Sequence, residues 1–123
     1  IVGLYELHHQ FLRWCSADGL PPEASSTDPP VDPDLRVEAI FDQLAQRGEN
    51  SAVFEAYRRV SAQLRPIRRI EALLGDMGLE IALEIERLSS RGPVGELARA
   101  LDQYHGERIA LAPSLEKVMR QSA

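Results

Sequence analysis

Cysteine is nearly absent from this sequence, whose 123 residues include a single one, Cys15. One cysteine excludes a disulfide within the chain, which fits a reducing compartment such as the cytoplasm. Long apolar runs are missing as well, and none approaches the roughly 20 residues that a membrane-spanning helix needs. We therefore expect a cytoplasmic protein without a membrane-spanning segment.

Lysine is also scarce, since Lys117 is the only one beside 13 arginines, and the net charge is -5. This charge argues against a nucleic-acid-binding surface over the whole chain. The sequence has no P-loop, no Gly-x-Gly-x-x-Gly, no Gly-x-Ser-x-Gly and no metal-spaced His-Glu-x-x-His or Cys-x-x-Cys pattern. We therefore expect a protein that is not an enzyme, although absent motifs do not exclude a small helical enzyme.

Apolar residues make up 44% of the chain and recur at three- and four-residue spacings. This periodicity, without strand alternation, predicts an all-α antiparallel bundle of five to six helices in one domain, residues 1–123. The expected helices cover about 1–16, 34–47, 51–74, 79–91, 93–111 and 113–121. The third should continue through Pro66 and be capped by Asn50 or Ser51. Five prolines predict an irregular segment over 17–33.

The apolar stripes predict which side chains are buried. On the first helix the expected set is Leu4, Leu7, His8, Phe11, Leu12 and Cys15, with Trp14 widening the stripe. On the second helix the expected set is Leu35, Ile40, Phe41 and Leu44.

Two histidines interrupt these stripes at inward positions. His8 and His105 each have a leucine or isoleucine four residues away on either side, so helix geometry directs both imidazoles inward. A buried imidazole can bind a ligand or a metal, or can simply bond to a neighbouring backbone or carboxylate group. For His105, the expected partner is Asp42, Glu38 or Tyr57.

Arginines form a row on the third helix, where Arg58, Arg65 and Arg69 share a face and Arg68 follows Arg65 by one turn. Like charges at this spacing repel, so the row is unfavourable unless it meets anions. The anion can be a ligand carboxylate or phosphate held by bidentate hydrogen bonds. The alternative is a solvated face that pairs with acidic residues of the chain.

Several short motifs resemble one known family. They are Leu4-Tyr5-Glu6-Leu7-His8-His9, Phe41-Asp42-Gln43-Leu44 followed by Gly48-Glu49-Asn50, Leu64-Arg65-Pro66-Ile67-Arg68-Arg69, and the stretch RGPVGELARALDQYH. Together they resemble the C-terminal effector-binding (FCD) domain of FadR-type regulators in the GntR family. The resemblance implies a homodimer that binds a small effector, with DNA bound only through a winged-helix domain preceding Ile1. The start of the sequence in the middle of a helical pattern fits such a missing domain.

Many members of that family bind a metal through one aspartate and three histidines. Here only His105 matches a ligand position well, while Asp42, Glu38 and Ile81 stand at the other three. We therefore expect no cofactor, with Glu38, Asp42 and His105 as weak metal candidates. The expected ligand-binding residues are His105, Arg58, Arg65, Asp42, His8 and Tyr57. If the arginines face inward, the effector is expected to be an organic acid. A helical protein–protein interaction module without a ligand is the alternative.

Overall fold

Five α-helices account for almost all of the residues that the structure describes, which are 1–16, 32–48, 50–73, 78–91 and 94–122. In this computed structural model the helices are α1 (Val2–Ser16), α2 (Pro33–Gln46), α3 (Ser51–Leu73), α4 (Leu79–Arg91) and α5 (Val94–Ser122). These ranges contain no strand. The prediction of an all-α helical bundle is therefore confirmed.

The helices pack around α1 and α5, which lie against each other. Helix α1 also contacts α2 and α3, while α4 packs on α2 and α5. One apolar cluster joins all five helices and includes Leu12, Phe41, Tyr57 and Leu101. A second cluster joins α1, α3 and α5 through Tyr5, Leu64 and Leu115. Burying each such leucine contributes about 1.5–3 kcal/mol, so these two clusters hold the bundle together.

The long helix α3 begins at a side-chain cap. The Asn50 Oδ1 accepts hydrogen bonds from the backbone N–H groups of Ala52 and Val53, both at 3.1 Å. These bonds satisfy two of the amides that have no partner inside the helix. The helix then continues without interruption past Pro66 to Leu73. Both the Asn50 cap and the continuation through Pro66 were predicted and are confirmed.

The prediction of a separate last helix over 113–121 is wrong. Helix α5 runs from Val94 to Ser122 and contains Pro113 in its interior. A proline removes one backbone donor, but tertiary packing on both sides can keep the helix continuous past it. Here Ala112 and Leu115 flank the proline and are both buried.

Three residues expected in the core lie at the surface. Leu7 is 45% exposed, Trp14 61% and Leu35 42%. On α1 the fully buried Tyr5 occupies the position that Leu7 was expected to fill, so the buried stripe passes through Tyr5 and His8. Successive residues are 100° apart around a helix, and α1 has leucines on two of its sides. The sequence pattern therefore allows two orientations of the buried face, and the structure has the one that includes Tyr5.

The predicted irregular segment 17–33 falls mainly on residues 17–31, which lie outside the described ranges, whereas Pro33 begins α2. Among the described helices, none has both the length and the apolar character that crossing a bilayer requires.

Candidate functional site

A group of buried polar side chains meets where α1, α3 and α5 pack together. It consists of His8 from α1, Ser61 and Arg68 from α3, and Tyr104 and His105 from α5, and is called the polar cluster below. Each of these side chains is at most 3% exposed. Buried polar groups require hydrogen-bond partners, so the bonds within the polar cluster decide its chemistry.

A chain of hydrogen bonds runs through the two histidines. The Arg68 Nη2 lies 3.1 Å from the His8 Nε2, and the His8 Nδ1 lies 2.7 Å from the His105 Nε2. At the far end the His105 Nδ1 lies 2.7 Å from the carbonyl oxygen of Leu101. A guanidinium can only donate and a carbonyl can only accept. Each imidazole therefore donates through Nδ1 and accepts through Nε2.

Rings enclose both imidazoles and keep water away from them. The His8 ring packs edge-on against Phe41 at 5.0 Å and near Tyr57 at 5.3 Å between centroids. The partly exposed His9 stacks on the His105 ring at 4.6 Å. Burial lowers the pKa of His105 to about 3 and the pKa of His8 well below its usual value, with the Arg68 charge adding to the effect. Both rings are therefore neutral at pH 7.

Arg68 is a buried cation whose hydrogen-bond partners are all uncharged. Its Nη1 donates to the Ser61 Oγ at 3.2 Å and its Nη2 donates to His8. Within the described ranges its Nε has no hydrogen-bond partner, and no carboxylate lies within 4 Å of its guanidinium. The burial of a charge is costly unless it is paired. Burial lowers the pKa of Arg68, but Tyr104, Tyr57 and the Glu38 carboxylate together raise it above its usual value. The arrangement thus leaves a buried positive charge that is balanced only from a distance, without a close ion pair within the described ranges.

The Tyr104 hydroxyl is the second donor that lacks an acceptor. It is buried and makes no bond of hydrogen-bond geometry with the described part of the chain. Burial raises the pKa of Tyr104, while nearby Arg68 opposes this effect, so the two groups lie close together. A carboxylate oxygen is a suitable acceptor for either of these donors.

Paired carboxylates of α2 lie beside the polar cluster. The Tyr57 hydroxyl donates to the Asp42 Oδ1 at 3.0 Å, and the Arg65 Nε donates to the Glu38 Oε1 at 2.7 Å. Burial raises the pKa of Asp42, although the bond from Tyr57 opposes this shift. These pairs bind α2 to α3 and keep both carboxylates occupied.

The structure brings together some of the predicted site residues and separates others. His8 and His105 contact each other, and Tyr57 lies against the His8 ring. Arg65 has a 56% exposed side chain that pairs with Glu38, and Arg58 lies at the surface over the Phe54 ring. Neither of these two arginines joins the polar cluster.

The sequence analysis did not select Arg68, the arginine that does belong to the polar cluster. Arg68 follows Leu64 by four residues and Ser61 by seven, so it continues the buried stripe of α3. That spacing is the signal that distinguishes it from Arg65 and Arg69, which point outward. Tyr104 was missed for the same reason, although it follows Leu101 by three residues on α5.

The weak metal candidates do not assemble into a metal site. Glu38 is paired with Arg65, Asp42 accepts from Tyr57, and both nitrogens of His105 already have hydrogen-bond partners. Among the described residues, no three histidine, cysteine or acidic side chains converge on one point. A tight metal site usually needs at least three such ligands, so these residues do not fit the metal that the FCD resemblance implies.

Comparison with protein-family models, with curated proteins and with solved structures finds no match to this chain.

Proposed function

We propose that this chain is the effector-binding and dimerisation domain of a bacterial transcription regulator of the FadR type, and that its effector is a small organic acid. The observation that carries the proposal is Arg68, a buried guanidinium without a carboxylate partner among the described residues. The proposed role is binding and does not involve a catalytic step. DNA would be bound by a separate domain that precedes Ile1.

The chemistry of the polar cluster favours a carboxylate ligand. A carboxylate oxygen accepts hydrogen bonds and carries a negative charge. It would therefore supply the ion-pair partner that Arg68 lacks among the described residues. The Arg68 Nε and the Tyr104 hydroxyl supply donors that are not already used by the described residues. Charge-assisted hydrogen bonds in a buried site are about twice as strong as neutral ones. The ligand would therefore bind through a charge and two directed donors.

Binding at this place would couple three helices. Arg68 belongs to α3, its partner His8 belongs to α1, and His8 in turn bonds to His105 of α5. Because Arg68 is only 3% exposed, a ligand can reach it only if side chains or helices move apart. A ligand that draws Arg68 away from His8 would favour a second arrangement of α1 relative to α3 and α5. Helix α1 would pass this change to the domain before it.

Thermal unfolding in the presence of small carboxylates tests the ligand proposal. We expect short-chain monocarboxylates at millimolar concentration to raise the Tm of the wild-type chain, because a ligand that binds only the folded state stabilises it. Arg68→Met should abolish this rise, whereas Arg69→Met should keep it, since Arg69 is exposed on the same helix. An equal response of both variants would contradict the assignment of Arg68.

The dimerisation part of the proposal rests on the surface of α1 and on the family resemblance. Leu7 and Trp14 are both exposed and lie seven residues apart, so they share one face of the helix. We expect sedimentation to show a dimer at tens of micromolar, an order of magnitude typical of specific pairs. Trp14→Glu should produce monomers, and Leu73→Glu on α3 should not. A wild-type chain that is only monomeric would contradict dimerisation.

The same exposed face supports the second candidate, a helical interaction module that holds a partner protein and binds no small ligand. The two candidates differ in the thermal experiment. If no carboxylate changes the Tm while Trp14→Glu still alters self-association, the interaction module is the better description.

A further inference from the structure

We propose that two copies of this chain pair through α1 in antiparallel orientation, so that Glu6 of each copy contacts the partner's Arg13. This inference rests on the dimerisation part of the proposed function and specifies which residues meet across the twofold axis. The surface concerned is the exposed side of α1, called the α1 face below, which consists of Gly3, Glu6, Leu7, Gln10, Arg13 and Trp14.

The middle of the α1 face carries two large apolar side chains outside the bundle core. Leu7 is 45% exposed and Trp14 61%, and they lie two helical turns apart. Gly3 and Gln10 complete a row in which exposed residues recur at alternating spacings of four and three. This is the spacing of the seam between two packed helices. Exposed apolar side chains in such a row mark an interaction surface.

An antiparallel pair brings the largest side chain of this row to the smallest residue. If the twofold axis crosses α1 midway between Leu7 and Gln10, Trp14 lies beside the partner's Gly3, and Leu7 lies beside the partner's Gln10. A Cβ added at Gly3 would meet no atom within 4 Å, so the first turn of α1 has open space for the indole ring. A parallel pair would instead place the two Trp14 rings against each other.

Charged residues of opposite sign flank one side of the row. Glu6 and Arg13 are both exposed and lie seven residues apart, so they share that side of the helix. The same twofold axis places Glu6 of each copy beside the partner's Arg13, and the contact is made twice. Within the described ranges Glu6 makes no ion pair, and Arg13 approaches Asp102 only to 3.6 Å. On the other side of the row the half-buried Leu4 lies beside the partner's Phe11, which is also half-buried.

A second copy of this chain is therefore the occupant that the α1 face fits. A twofold contact requires a surface that is complementary to itself. The α1 face meets this requirement in charge, through Glu6 and Arg13, and in size, through Gly3 and Trp14. Such a contact closes with two copies, so association through the α1 face stops at a dimer.

Exchange of the two charges tests the antiparallel arrangement. Sedimentation equilibrium at pH 7 and low ionic strength compares the wild-type chain with Glu6→Arg, Arg13→Glu and the variant that carries both substitutions. Each single variant sets like charges against each other in its own dimer, whereas an equimolar mixture of the two restores both contacts. Arg69→Glu, at an exposed position of α3, is the matched control for a charge change away from the α1 face. Circular dichroism checks that each variant is folded.

We expect the wild-type chain, the Arg69→Glu control and the double variant to dimerise alike. Each single variant should self-associate about 10-fold more weakly or worse, and their equimolar mixture should dimerise like the wild-type chain. If the single variants dimerise as tightly as the wild-type chain, or if the mixture associates as weakly as its components, the antiparallel pairing is overturned and dimerisation itself still stands. A wild-type chain that is only monomeric overturns both the pairing and the dimerisation part of the proposed function.

Discussion

Acidification should destabilise this fold through the two buried histidines. In the unfolded chain a histidine has a pKa of about 6.5. In the folded chain burial lowers the pKa of His105 to about 3 and also lowers that of His8. At a pH between the folded-state and the unfolded-state pKa, the unfolded chain binds more protons than the folded chain. The free energy of unfolding is therefore largest above pH 6.5 and decreases as the pH falls. From pH 8 to pH 5 His105 should remove about 2 kcal/mol, and His8 should add a loss of the same sign.

Such a loss is a large part of the 5–15 kcal/mol that typically stabilises a domain. The raised pKa of Asp42 acts in the opposite direction, because the folded state then binds its proton more readily, so the comparison stops at pH 5. Urea unfolding followed by circular dichroism at pH 8, 6.5 and 5 measures the change. His105→Gln removes one titrating ring and should reduce the pH dependence by about 2 kcal/mol, with His8→Gln as a second test. A free energy of unfolding that stays constant or rises toward pH 5 would refute the neutral histidine pair.

Three substitutions and one control test the local structure by chemical denaturation. Asn50→Ala removes the acceptor for the first amides of α3 and should cost about 1 kcal/mol; an unchanged stability would contradict the cap. Gly78→Ala should destabilise by more than about 1 kcal/mol, because Gly78 has a φ of 66° and an added Cβ would overlap buried side chains of α5. The control Gly106→Ala lies in open space within α5 and should stabilise by roughly 0.4–1 kcal/mol. Tyr57→Phe removes the hydrogen bond to Asp42, so it should cost about 1 kcal/mol and raise the carboxyl pKa measured by NMR titration.

The helices were predictable because their signals are local. The apolar spacing, the Asn50 cap and the α3 helix through Pro66 all depend on residues within a few positions of one another. The same local signals gave a wrong prediction at Pro113, where a separate helix was expected and α5 continues instead. Whether a proline ends a helix depends on tertiary packing at either side of it, which the spacing of residues does not contain.

The site was only partly predictable, because it depends on contacts between distant parts of the chain. The inward direction of His8 and His105 followed from their flanking leucine and isoleucine residues, but their mutual hydrogen bond joins residues 97 positions apart. The sequence analysis also chose the wrong arginines of α3, because it named Arg58 and Arg65 as ligand-binding residues and the structure buries Arg68. The spacing from Leu64 puts Arg68 on the buried stripe of α3, but its bond to His8 depends on the packing of α1 against α3.

NMR observation of the Arg68 side chain tests the central claim most directly. The resonance of its Nε–H group can be assigned by its loss in Arg68→Met and followed while butyrate or hexanoate is added. The account predicts that this resonance shifts and saturates as a carboxylate oxygen accepts from the Nε–H group, while the Arg69 resonance stays unchanged. An Arg68 resonance that does not move with either acid, or that moves only as much as the Arg69 resonance, would contradict a buried anion site in this bundle.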